Sequence, residues 1–180
     1  MFARVVAAAI VAFAMSTPAW AAQRSNLETF RDVQQQVLRY PNFTVFDSVH
    51  AVVESGVVRL TGKVTMPYKR NDIARRVERV AGVSSVINDI EVLPVSQFDD
   101  ELRVGIARAI YGNSNFWRYG SMVNPPIHIV VERGRVTLEG VVNSEVDRML
   151  ARSIASSFQA FSVTNNLRTD EEVRQELEKL

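Results

Sequence analysis

The sequence predicts an α+β fold of two tandem α-β-β-α-β modules, each a three-stranded mixed sheet with two helices on one face, plus a C-terminal helix. Three observations carry this reading. Gly56–Gly62 reads GVVRLTG and Gly134–Gly140 reads GRVTLEG, one segment repeated at an offset of 78 residues. The strands before them match as well, HAVVESG from His50 and HIVVERG from His128. Around each copy the apolar spacing runs helical, alternating, helical and alternating in the same order. The chain divides into a leader (1–21), a first module (22–93), a second module (96–168) and a closing helix (169–180).

The leader has Arg4, the apolar run Val5–Met15 and then Pro18-Ala19-Trp20-Ala21. Ala19 and Ala21 give the small-x-small pattern of a secretory signal peptide cut after Ala21. The run is shorter than the ~20 residues that span a bilayer. An uncleaved anchor is the competing reading.

The first module opens near Asn26, read as an N-cap. Leu27, Phe30, Val33, Val37 and Leu38 follow at helical spacing, and Pro41 stops the helix. Ser55-Gly56 reads as a two-residue hairpin turn. It pairs Glu54 with Val57, Val53 with Val58, Ala51 with Leu60 and Val49 with Gly62. One face then collects Val49, Ala51, Val53, Val58, Leu60 and Val64. The other collects Ser48, His50, Glu54, Arg59, Thr61 and Lys63. A slip of one residue would mix the two sets, so the separation specifies the register. With both helices on the apolar face, the charged face is expected to be wet.

Pro67 suits the first turn of a second helix, which carries Ile73, Ala74, Val77, Val80 and Ala81 and is expected to end at Gly82. Val86, Ile90 and Val92 alternate inward on a third strand near Ser84–Leu93. In the second module Ser96 and Asp99 form a capping pair, and Phe98, Leu102, Ile106 and Ile110 line the first helix. The hairpin spans Ile127–Val142 and turns at Arg133-Gly134. Ser144 and Asp147 open a helix with Val146, Leu150, Ile154 and Phe158 inside, and Val163 and Leu167 point inward from the last strand, Ser162–Arg168. Pro94 and Val95 alone separate the modules, which are expected to touch or to be held in a restricted orientation. Thr169 and Glu172 form a capping box for the closing helix, whose Val173, Leu177 and Leu180 share one side. That side docks on a module or serves a partner.

These patterns resemble the BON domain. In the first module the resemblance is carried by Gly56, Val58, Leu60, Gly62, Val64, Ile73, Ala74, Gly82, Val83, Val86, Asn88, Ile90 and Val92. In the second it is carried by Gly134, Val136, Leu138, Gly140, Val142, Leu150, Ala151, Val163, Asn165 and Leu167. Gln159 and Ala160 depart from it, standing where the first module has Gly82 and Val83. The resemblance implies export to the periplasm, non-enzymatic work at the cell envelope and, in some two-module members, binding to phospholipid surfaces.

Composition limits the function classes. Without Arg4 the chain has 20 basic and 20 acidic residues, a balance unlike that of a general nucleic-acid binder. With no cysteine, disulfides, thiol nucleophiles and a lipidated cysteine are all excluded. There is no nucleophile elbow, no H-E-x-x-H and no phosphate-binding glycine loop, so no catalytic residue, cofactor or metal is assigned. His50 and His128 occupy equivalent, polar-face positions and read as solvent-facing, one histidine per module being too few for a metal site unless close contact between the two sheets brings them together. The repeated glycines suit a turn and a close strand–helix contact. Asn88 and Asn165 share the inward parity of their strands and are expected to bond nearby backbone.

Two features occur in one module only. The second helix of the first module carries Lys69, Arg70, Arg75, Arg76 and Arg79 against Asp72 and Glu78. It is either a solvated face or a face for anionic headgroups, with Arg75, Arg76 and Arg79 as candidate contacts. The second module has a longer connection before its hairpin, containing Phe116, Trp117, Arg118, Tyr119 and Met122. Gly112, Gly120, Pro125 and Pro126 mark it as a loop. These five are candidate residues for a membrane interface or a protein contact, unless the loop only covers its own core. The expected partner is an anionic phospholipid surface or an envelope protein, with no nucleic acid.

Overall fold

Residues 25–178 are described by the structure, a computed structural model. The leader with its expected cleavage point, and Leu180, lie outside them. The first half contains α1 (Asn26–Leu38), β1 (Ser48–Glu54), β2 (Val57–Val64), α2 (Pro67–Val77) and β3 (Ser85–Val92). The second contains α3 (Gln97–Tyr111), a 3₁₀ turn (Ser114–Phe116), α4 (Trp117–Gly120), β4 (Ile127–Glu132), β5 (Arg135–Val142), α5 (Glu145–Ser156), β6 (Ser162–Thr169) and α6 (Asp170–Leu177). Two separate sheets form, ordered β1-β2-β3 and β4-β5-β6. In each, an antiparallel hairpin is followed by a parallel third strand, so both sheets are mixed as expected.

The hairpin register is the one read from the sequence, with Glu54 opposite Val57 and Val49 opposite Gly62. At the turns Ser55 and Gly56 have φ of 49° and 82°, and Arg133 and Gly134 have 52° and 72°. Two successive positive φ values make a type I′ turn, whose twist matches that of the strands it joins. Gly62 and Gly140 answer a different need. A Cβ at either would overlap the carbonyl oxygen of Ser48 or Pro126, where the neighbouring strand begins. The close approach is therefore between strands, not between strand and helix.

Each sheet buries one face under its own helices. Val58, Leu60, Val64 and Ile90 pack against Val33, Val37, Ile73 and Val77. Val136, Leu138, Val142 and Leu167 pack against Leu102, Ile106, Ile110, Ala151 and Ala155. Asn88 Nδ2 donates to the Arg70 carbonyl at 3.1 Å and Asn165 Nδ2 to the Arg148 carbonyl at 2.9 Å. The same bond thus ties the third strand to the second helix in both copies.

Several local expectations shift. Ser25, not Asn26, caps α1, with a reciprocal bond pair to Glu28. Ser96 caps α3, but Asp99 does not return the bond. Its carboxylate accepts from the Arg133 and Gly134 amides and clamps the hairpin turn instead. α2 ends at Val77; Gly82, with φ of 91°, turns the chain into β3. α5 is rotated from the expected stripe. Ala151 and Ala155 are buried, Leu150, Ile154 and Phe158 are half-buried and Val146 is exposed, because the helix lays its small residues on the sheet. Phe98 and Leu27 are exposed at the outer ends of their helices. The closing helix docks on the second module, with Val173 half-buried and Glu172 and Glu176 bound by Arg148 and Arg168.

The charged sheet faces are not wet throughout. The two modules dock through them. Ile129 N–H donates to the Val45 carbonyl at 2.7 Å, Lys63 pairs with Glu132, and Glu139 accepts from Ser48, which is buried. The linker residue Val95 is fully exposed.

Candidate functional site

The insertion folds where a loop was expected. Asn113 Oδ1 accepts from the Asn115 amide and starts the 3₁₀ turn, which runs directly into α4. Gly112 caps the end of α3 and Gly120 is the last residue of α4, so neither lies inside an irregular loop. Residues three apart on a helix share a face, and here Phe116 and Tyr119 do. Both are buried, at 0% and 1% exposure. Trp117 points the other way and is 70% exposed; Met122, at 47%, and Val123, at 97%, follow it. The Tyr119 hydroxyl donates to Asp147 and accepts from the Asn143 amide, both at 2.8 Å. Burial pushes its phenol pKa above the usual value. Arg118 pairs with Asp147 and lies 4.8 Å over the Tyr119 ring. The five candidates therefore divide: Phe116 and Tyr119 belong to the core, Arg118 is neutralised, and Trp117 and Met122 project.

The basic helix divides as well. Lys69 is not on a solvated face. It is buried, with Nζ 2.7 Å from Asp47, itself at 0% exposure. Asp47 also accepts from the amides and hydroxyls of Thr44 and Thr65. Burial alone would raise its pKa, but Lys69 and these donors hold it below the usual carboxylate value. The three predicted arginines do come together. Arg75, Arg76 and Arg79 line one open hollow of about 480 Å³ with Gln36, Tyr40 and Asp72. Arg75 pairs with Asp72, and Arg76 sits 5.1 Å from the centre of the Tyr40 ring. Arg79 makes no ion pair among the described residues and stays exposed.

The histidines differ from each other. His50 is exposed, with Nε2 2.8 Å from Glu139 of the other module. His128 is half-buried against Phe43, ring centres 5.4 Å apart, and its buried Nδ1 has no hydrogen-bond partner among the described residues. It is not solvent-facing, because the first module covers it. Ser48 Oγ lies 3.4 Å from His50 Nε2, but one Glu139 oxygen engages both groups. A serine–histidine–acid relay needs the acid on the opposite ring nitrogen, so this is a junction contact. Between the modules lies a cleft of about 330 Å³ with Lys63, Arg133 and Arg135 on its walls. Among the described residues no group of three or more His, Cys, Asp or Glu side chains could hold a metal ion. None of their helices is long and apolar enough to cross a membrane.

Sequence reasoning passed over Asp47, Lys69 and Asp147 as a set. The signal was present in the repeat: at the offset of 78, Lys69 aligns with Asp147, a reversal of charge at one buried helix position.

The BON domain family model matches residues 29–94 and 118–171. A search of curated proteins found no match. Similar solved structures include CdsD, a structural protein of the Type III secretion system of Chlamydia trachomatis. It is 14% identical over 85% of this chain and 99% of that chain, with a TM-score of 0.30. A structure of the CdsD C-terminal domain is 10% identical over 81% of this chain and 99% of that one, with a TM-score of 0.29. The family match falls on both sheets and covers more than half of the chain, which agrees with the repeat and with the paired α+β modules: this chain belongs to the BON domain family.

Proposed function

We propose that the chain is a non-enzymatic periplasmic protein of the cell envelope and that it binds anionic phospholipid surfaces. The observation that carries the reading is Trp117. It is 70% exposed between two buried aromatics, so Phe116 and Tyr119 act as roots that hold an indole outside. An indole held this way suits the membrane–water interface, where its apolar body and N–H are both accommodated. Met122 and Val123 extend the same projecting stretch. The hollow of Arg75, Arg76 and Arg79 supplies basic groups for anionic headgroups, each worth ~1 kcal/mol near a charged membrane and less in salt. Asp72 offsets part of this at Arg75.

Cosedimentation with phosphatidylglycerol vesicles tests the proposal. Binding should exceed that to phosphatidylcholine vesicles, fall in high salt, and drop on Trp117→Ala and on a paired Arg76→Ala and Arg79→Ala change. Failure of the exported chain to bind either vesicle would overturn it. A second reading, contact with an envelope protein, draws on Phe98 and Phe161. These exposed rings flank Gly134 at the end of the second hairpin, and the first module has Ser84 in place of Phe161. Loss of a pulled-down partner on Phe161→Ser, with no vesicle binding, would favour it.

A further inference from the structure

The junction between the modules holds two histidines from equivalent strand positions in opposite environments. Glu139 stands between them. It is paired with His128 across the β4–β5 ladder and reaches over the junction to His50. The groups facing His50 are Glu139 on β5 and Arg168 on β6, with Ser48 beside it on its own strand. The groups facing His128 are Phe43, Thr44 and Asp47 from the segment before β1, and Glu139 on β5. His50 is thus a cation site with an anionic partner in the other module. His128 is a ring half-covered by the other module, with its Nδ1 buried and unpaired among the described residues.

We propose that this junction is a proton-responsive hinge in which protonation of His50 holds the modules together and protonation of His128 drives them apart. The two histidines oppose each other, so the intact chain responds less to pH than a chain that keeps only one of them.

The signs follow from linkage. The bond to Glu139 raises the His50 pKa, against burial and Arg168. Its contribution to docking is fully present below the free histidine value of ~6.5 and is lost as pH rises through the raised docked value. Burial lowers the His128 pKa, against Asp47, Thr44 and Glu139. Its contribution is present above ~6.5 and is lost as pH falls through the lowered docked value. Glu139 is held at about 2, chiefly by His50. It stays charged throughout this range, so the response belongs to the imidazoles. Lys63 and Glu132 also bridge the modules.

The test measures the distance between the modules in the full-length chain. The sequence has no cysteine, so Glu78→Cys and Ser153→Cys, at exposed positions on either side, accept a spin-label or fluorophore pair specifically. On acidification from about pH 8 to about pH 5, H50Q should open, its docking constant falling about fivefold or more. H128Q should tighten by a similar factor, and the unsubstituted chain should lie between them. Glu139→Gln should behave as H50Q does. Circular dichroism at both pH values separates opening from unfolding. The proposal is overturned if the two histidine variants shift in the same direction, or if both follow the unsubstituted chain. If H128Q does not fold, failure of H50Q and Glu139→Gln to open in acid overturns it alone.

Discussion

The two modules seal the same end of the same fold with charges of opposite sign. In the first, Lys69 near the start of α2 reaches back to Asp47 in the α1–β1 connection. In the second, Asp147 at the equivalent point of α5 reaches Tyr119 and Arg118 in the longer α3–β4 connection. What the fold requires is a tie between connection and helix start, not a particular residue. The two ties are not electrostatically equal. A carboxylate near a helix N-terminus is favoured by the helix dipole, and an ammonium is opposed by it. α5 also has a serine cap, whereas Met66 gives α2 no side-chain cap. The first module therefore depends on Asp47, while the second shares the task among a phenol, a guanidinium and a cap.

The sharpest way to break this comparison is to remove the acid from each side. Asp47→Ala leaves a buried ammonium unpaired and should cost about 3–5 kcal/mol in urea unfolding. Adding Lys69→Met should recover most of that loss. Asp147→Ala should cost less, about 1–3 kcal/mol, because Arg118 remains partly in water and only the Tyr119 hydroxyl loses a buried partner. Equal losses would mean that the two ties are equivalent and that the sign of the charge has no consequence.

Phe116→Ala comes next. It empties a ring-sized space in the second core and should cost about 3–4 kcal/mol. Phe116 lies in the core of the second module alone, so the unfolding of the first should be unmoved. A loss spread over both modules would show that the junction couples them more strongly than the comparison assumes.

How much of this was legible in the sequence depends on the range over which each feature is decided. The hairpin register was legible because Ser55-Gly56 and the period of two leave one consistent pairing, and the same holds at Arg133-Gly134. The asparagine bonds were legible because both copies share them. The end of α2 was not, since Val80 continues the apolar stripe after the helix has stopped and is buried from a turn. The facing of α5 was not, because Val146 and Ala151 compete for the sheet and only packing selects the alanine side. His128 was misread for a longer-range reason. The residue that covers it, Phe43, belongs to the other module and lies far away in sequence. In the insertion the residue types were informative, but treating it as a loop hid the helical spacing that separates Phe116 and Tyr119 from Trp117.

The asparagines give a smaller and symmetrical test. Asn88→Ala and Asn165→Ala each remove a side-chain bond to a helix carbonyl and should cost about 1–2 kcal/mol apiece. Since the geometry is the same in both copies, the two losses should agree within about 0.5 kcal/mol. A large inequality would place the asymmetry of the modules in the shared fold rather than in the tie at its end.

The smallest expected effect is the most discriminating for function. Trp117→Ala should change stability by no more than about 0.5 kcal/mol, because its ring is mostly in water and its neighbours hold the turn without it. Phe116, one residue earlier, should cost several times as much, and that contrast separates a side chain kept for the fold from one kept for a surface. If Trp117→Ala instead destabilises the second module as Phe116→Ala does, the indole packs against the protein in solution and is not available to a bilayer. If stability holds while binding to anionic vesicles falls, the exposed side of α4 does work that the fold does not need, and that work has no counterpart in the first module.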